Sequence, residues 1–239
     1  MRMRKKKNGA KRLLLCEQLL YKHSGEPLES PSSVFSREAA PVFLEIGAGK
    51  GGFARQMSRR NPEACYFAME RVSDCVVLAA EAAMAENCSD NMRFVIDTAD
   101  NLPLIFAKNT VDQIFLNFSD PWSKKGYAKR RLTHRRYLAM YLSLMKEGAT
   151  LTFKTDNSGL FDFTLEEIAA VGLEPIKLTR DLHASEFASD NVMTEYEKNF
   201  TEQGMKINMV QIEKPIGYIP VETINIELCR VSDENDSRG

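Results

Sequence analysis

Five short apolar runs, each with an acid at or just beyond its end and each followed by a segment of different periodicity, limit what this chain can fold into. Val42-Phe43-Leu44-Glu45-Ile46, Cys65-Tyr66-Phe67-Ala68-Met69-Glu70, Met92-Arg93-Phe94-Val95-Ile96-Asp97, Val111 to Phe118 and Ala149 to Thr155 read as strands. Phe53 to Arg60, an Ala-rich stretch from Ser73 (placed to cap it) to Asn87, Thr133 to Glu147 with Gly148 placed to end it, and Gly159 to Val171 read as helices. Two later strand patterns, Glu174 to Thr179 and Met205 to Glu213, complete a set of seven. Strands alternating with helices need crossover connections. The expected fold is therefore α/β: a doubly wound, mostly parallel seven-stranded sheet with helices on both faces.

In such a sheet ligands lie outside the carboxyl ends of the strands. Glu45, Glu70, Asp97, Asp120 and Asp156 each sit at or beside such an end. One acid there is ordinarily a cap or an ion-pair partner. Five crowded anions repel, so the rim calls for a cationic ligand or many hydrogen-bond donors. Gly47-Ala48-Gly49-Lys50-Gly51-Gly52 follows the first strand and matches both G-x-G-x-x-G and G-x-G-x-G. A dinucleotide would bring a pyrophosphate, which Glu45 would oppose. S-adenosylmethionine has no phosphate; it offers a sulfonium, an ammonium and a ribose diol. Gly47 and Gly49 let the backbone approach it, Glu45 suits its cationic end, Glu70 its ribose hydroxyls and Asp97 its adenine amine. An NAD-dependent oxidoreductase is the rival reading of the same glycines.

The fourth strand runs into Asn117-Phe118-Ser119-Asp120-Pro121-Trp122-Ser123, and no acid occurs from Lys124 to Arg136. With 32 basic and 33 acidic residues the chain is not a generic polyanion binder, so the clustering carries the information. Lys124, Lys125, Lys129, Arg130 and Arg131 beside the acidic rim point to a phosphate backbone. A second basic cluster opens the chain, from Arg2 to Arg12. Residues 1–40 read as a basic arm and a Ser/Pro-rich linker, 41–213 as the α/β domain, and 214–239 as an extension whose acidic end is expected to be disordered. Five Cys without a CxxC pair predict free thiols, and no ligand spacing joins them to His23, His134 or His183, so no metal is expected. No apolar run is long enough for a bilayer and no signal peptide is evident, which predicts a cytoplasmic protein.

These motifs together resemble the bacterial tRNA (guanine-N7-)-methyltransferases. The likeness is carried by Met1-Arg2-Met3-Arg4, Leu44 to Gly51, Leu116 to Trp122, Lys129-Arg130-Arg131-Leu132-Thr133, Phe153-Lys154-Thr155-Asp156-Asn157 and Asn191 to Glu197. It implies a Rossmann-like methyltransferase that moves a methyl group from S-adenosylmethionine to N7 of a guanine in the variable loop of tRNA. By position it implies cofactor contacts at Glu45, Glu70, Asp97 and Asp120, with Asp120 catalytic. Substrate contacts fall at Lys124, Asp156, Thr194, Glu195, Tyr196 and Glu197, and an RNA-contacting loop at Lys125, Gly126, Tyr127, Ala128, Lys129, Arg130 and Arg131. Asp156 or Glu197 is expected to read guanine's N1–H and N2–H₂, and Trp122 or Tyr196 to stack on the base. The family usually has Pro at Ser123 and often Arg-His at Gly126-Tyr127, so this loop has one cation fewer. A methyltransferase of another RNA, or an RNA-binding protein without catalysis, are the alternatives. Oligomeric state is open.

Overall fold

The computed structural model describes residues 6–88 and 90–219. The remainder, including Arg2, Arg4, Lys5, Cys229 and the acidic end, lies outside the described residues.

Seven strands form one sheet: β1 Val42–Ile46, β2 Cys65–Met69, β3 Met92–Val95, β4 Val111–Asn117, β5 Met145–Thr155, β6 Lys177–Thr179 and β7 Asn208–Glu213. Their order is β3-β2-β1-β4-β5-β7-β6. The first five are mutually parallel and β7 is antiparallel to both neighbours. The winding reverses between β1 and β4, which makes that boundary the switch point where ligands bind. The helices are α1 Gly9–Leu14, α2 Gly52–Arg60, α3 Ser73–Ala85, α4 Arg135–Leu144, α5 Ser158–Ala170 and α6 Glu195–Glu202.

Strand side chains alternate between two cores. Val42, Leu44 and Ile46 pack with α4 and α5, while Phe43 packs with α2 and α3. Both faces are therefore covered, as the continuous apolar strands require. Glu45 lies on the α2/α3 face, in a position that the pattern reserves for an apolar residue.

Several boundaries differ from expectation, and β6 and β7 each begin three residues later than their apolar patterns suggest. The helix from Thr133 stops at Leu144, and β5 begins at once with Met145. Gly148 does not end a helix; it sits at φ 75° in a bulge where pairing slips from Val111↔Met145 to Gln113↔Thr150. A left-handed residue is tolerated there because glycine has no Cβ. Ser73 is inside α3, and the cap position is Val72, whose N–H is taken by Glu70 Oε1 at 2.8 Å. The Ser/Pro-rich segment read as a linker contains a 3-10 helix, Pro31–Phe35, and Phe35 packs edge-on against Phe67 at 5.2 Å. Its apolar residues are what draw it onto the sheet.

Candidate active site

At the switch point, Asn117 at the end of β4 reaches across to β1. Its side-chain N–H donates to Glu45 Oε1 at 3.0 Å. Glu45 is 2% exposed, and its Oε2 has no hydrogen-bond partner among the described residues. Tyr66 Oη is buried beside the carboxyl and lowers its proton affinity, but the two do not meet in ordinary hydrogen-bond geometry. Burial pushes the Glu45 carboxyl up to about 7, against the opposing Asn117 hydrogen bond and the charge of Lys154. An acceptor buried without a donor is costly, so this oxygen marks a place that a cationic or donor-bearing ligand would complete. Asn117 Oδ1 and Ser119 Oγ are likewise buried without partners.

The glycine loop starts directly after β1. Gly47 and Gly49 adopt φ 85° and 55°, and a Cβ on either would meet nothing within 4 Å. Gly51 differs, because a Cβ there would meet Ala79 and Phe94 at 3.0 Å. Gly51 thus serves close packing, while Gly47 and Gly49 leave open room over the rim. Glu70 holds the loop rather than projecting freely, since its Oε2 accepts the Gly49 N–H at 3.0 Å. Asp97 accepts from Thr98 N–H, Asn101 and His23.

Beyond β4 the backbone is strained. Phe118 and Trp122 sit at φ 52° and 41°, a region bulky residues rarely occupy unless the surroundings impose it. Asp120 lies between them, exposed, with Arg71 at 3.7 Å as its ion-pair partner. The basic segment folds as a 3-10 helix over Lys125–Arg130. Arg130 lies over the rings of Trp122 and Tyr127 at 5.3 and 4.8 Å. Arg131 is committed inwards, donating to the carbonyls of Pro121 and Trp122. Arg135 is also committed, pairing with Glu167. Lys124, Lys125 and Lys129 are exposed and their ammonium groups make no ion pair among the described residues. Gly126 is exposed and Ala128 partly buried on the same turn.

The segment from Thr194 to Glu197 divides into two kinds of residue. Thr194 and Glu197 are buried and form a reciprocal capping box at the start of α6. Glu197 also receives Lys154 Nζ at 2.7 Å and His183 Nε2 at 3.1 Å. Its oxygens are thereby engaged within the fold, so of the two acids expected to read the base Asp156, partly exposed beyond β5, is the accessible one. Glu195 and Tyr196 are exposed, and Glu195 approaches Lys50 of the glycine loop at 3.5 Å. Lys154 escaped the sequence reading. It is buried in β5, and its ammonium also holds Asn191 Oδ1 and the Val192 carbonyl, each at 2.9 Å. The available signal was a lone lysine in an apolar strand, which needs a buried anion. His23 and Asn117 were overlooked too, because nothing local announces their partners.

A cofactor suited to this rim must bring donors or a positive charge and little steric bulk at Gly47 and Gly49. Among the described residues no group of three His, Cys, Asp or Glu side chains could hold a metal, and no helix is long and apolar enough to cross a membrane.

Solved structures share this architecture. The 16S rRNA methyltransferase KamB superposes with a TM-score of 0.57 at 13% identity, covering 79% of this chain and 96% of that one. A variant of the 16S rRNA adenine-N1 methyltransferase from Catenulisporales acidiphilia, solved with its cosubstrate S-adenosylmethionine, gives 0.53 at 14% identity over 80% of this chain and 92% of that one. TrmN from Thermus thermophilus gives 0.53 at 20% identity over 77% of this chain and 47% of that one. At these identities the likeness establishes the fold. Residues 39–210 match the model of a family described as "Putative methyltransferase", and the chain belongs to that methyltransferase family.

Proposed function

We propose that this protein uses S-adenosylmethionine to methylate N7 of a guanine in tRNA. The observation that carries the reading is the pairing of an unsatisfied, buried Glu45 oxygen at the β1/β4 switch point with an exposed cationic loop on the same rim. The first suits a cationic small molecule and opposes a pyrophosphate. The second suits a polynucleotide. Two structural neighbours are described as 16S rRNA methyltransferases, which supports an RNA substrate for this scaffold. The choice of tRNA and of guanine N7 is supported by the resemblance of the Asp120-Pro121-Trp122 and Thr194-Glu195-Tyr196-Glu197 blocks.

Bound at the rim, the cofactor supplies an electrophilic methyl group on a sulfonium. Guanine N7 has an in-plane lone pair and no proton, so the chain needs no general base. Positive charge passes from donor to base rather than being created, leaving little for an oxyanion-type device to stabilise. The protein's task is alignment, worth roughly 7–11 kcal/mol in favourable cases. Glu45 and Glu70 hold the donor's cationic and ribose groups, and Asp97 its adenine. Asp120 takes a donor group of the guanine or the ammonium of the cofactor and fixes the approach of N7. Asp156 presents two adjacent acceptors to N1–H and N2–H₂, which adenine cannot satisfy. Trp122 and Tyr196 offer faces for an extruded base, and Lys124, Lys125 and Lys129 meet phosphates.

Incubation of unmodified tRNA transcripts with labelled cofactor, followed by mapping of alkali-labile guanines, tests the reading. Label at one guanine that is lost when its N7 is replaced by carbon supports it. Label that persists on such a deaza transcript overturns it.

A further inference from the structure

The chain from Leu20 to Leu28 forms a strap across the free edge of β3. At one end Leu20 bridges Phe94, and the Tyr21 N–H donates to the Phe94 carbonyl at 2.9 Å. At the other, Leu28 N–H donates to Ile105 and Ala107 N–H donates back to Leu28, at 2.9 and 3.1 Å. Between these staples His23 Nε2 meets Asp97 Oδ2 at 2.7 Å. Both side chains are mostly withdrawn from solvent, and His23 Nδ1 is buried without a partner among the described residues. A cavity of about 200 Å³ lies beside this junction, lined by Leu20 to His23 and Phe94 to Ile96.

The pairing decides what Asp97 can offer a ligand. A carboxylate has about four acceptor positions. Oδ1 already takes Thr98 N–H at 2.7 Å and Asn101 Nδ2 at 2.8 Å, and Oδ2 takes His23. One position on Oδ2 remains, and His23 determines its direction. Burial works against the charge of Asp97, but the donors of Thr98, His23 and Asn101 outweigh it and hold the carboxyl below its ordinary range. An ionised carboxylate only accepts, so it welcomes an amine and rejects a carbonyl.

We propose that His23 is a positioning residue for the methyl donor, aiming the remaining lone pair of Asp97 at the adenine amine and making the strap part of the cofactor site. The inference rests on the reading of Asp97 as the adenine contact. The test is calorimetric titration of the full-length protein with S-adenosylhomocysteine and with S-inosylhomocysteine, in which a carbonyl replaces the amine. The wild type should favour the adenine ligand by about 10–100-fold, the worth of a charge-assisted hydrogen bond. His23→Ala should cut that preference to about threefold and raise the KM for S-adenosylmethionine. His23→Gln, which restores a donor, should recover most of it. Where His23→Ala does not fold, His23→Phe decides, since it keeps the ring and loses the donor.

Equal weakening of both ligands, or loss of thermal stability with the preference intact, would make the strap structural and overturn the proposal while leaving Asp97 its role. If Asp97→Asn also retains the full preference, or the wild type shows none, Asp97 is not the adenine contact and both ideas fall.

Discussion

Replacing Glu45 by Gln should stabilise the protein at alkaline pH while abolishing its tight hold on the cofactor. The Glu45 carboxyl rises from an ordinary 4.5 to about 7 because it is buried. Between those two values the unfolded chain gives up the proton and the folded chain keeps it. The contribution of Glu45 to stability therefore falls as pH rises from 4.5 to 7 and is level above. At about 1.4 kcal/mol per unit, the gap corresponds to roughly 3 kcal/mol. Gln has nearly the same shape without the ionisation, and its carbonyl can still accept from Asn117. At pH 8 the variant should melt about 6–12 °C above the wild type, given about 2–4 °C per kcal/mol for a chain of this size. Near pH 5 the difference should shrink to under about 1 kcal/mol. The assay is differential scanning calorimetry of both proteins from pH 5 to 8. A pH-independent difference between the two proteins, or one that narrows from pH 5 to 8, would refute the reasoning. The same ionisation should appear on binding: at pH 7 a cationic ligand favours the charged carboxylate, so S-adenosylmethionine should release a proton. Calorimetry in buffers of different ionisation heat measures that directly.

Four other outcomes follow from the site. Lys154→Met strands Glu197 without its cation and should cost about 3–5 kcal/mol in urea denaturation; a loss under about 1 kcal/mol would mean the pair is not formed. Gly49→Ala should cost about 1–2 kcal/mol for its left-handed backbone, yet lower cofactor affinity by more than tenfold on the calorimeter. Gly51→Ala, blocked by Ala79 and Phe94, should instead add about 1–3 kcal/mol of overpacking to its backbone strain in thermal melts. Lys124→Ala combined with Lys125→Ala should flatten the dependence of tRNA affinity on salt, by about 0.7–0.9 in the log–log slope for each phosphate no longer neutralised; fluorescence anisotropy between low and moderate salt reads it, and an unchanged slope would place the RNA elsewhere.

What was legible in the sequence was whatever repeats locally. Apolar runs closed by acids located β1 to β4 to within two residues, because burial on both faces imposes continuous hydrophobicity. The glycines announced themselves, since Gly47 and Gly49 need a left-handed backbone that few other residues adopt. Junctions were less legible. Helix α4 and strand β5 meet with no turn residue between Leu144 and Met145, and Gly148, the obvious stop signal, serves a bulge. Partnerships across the chain left no local trace at all. Lys154 and Glu197 stand 43 residues apart, and His23 and Asp97 stand 74 apart. Each pair is defined by the sheet order, which no window of sequence contains.

The rim of acids changes meaning once these partners are known. Five anions in succession imply a shared cationic ligand only if they remain unpaired. Here the fold deals with them separately. Two backbone N–H groups take Glu70, His23 with Asn101 and Thr98 takes Asp97, and Arg71 approaches Asp120. Glu45 alone is both buried and left with an unused oxygen. The electrostatic demand for a cation is thus concentrated at the β1/β4 switch point, beside the glycines that leave space for it. The other acids act by direction, since donors already fixed around them leave only particular lone pairs available. Such a rim selects a ligand by the placement of its donors more than by its total charge. It follows that neutral S-adenosylhomocysteine analogues with an intact amino-acid tail should bind far better than sulfonium compounds lacking that tail, and a competition series would reveal the opposite order if bulk negative potential were the attraction.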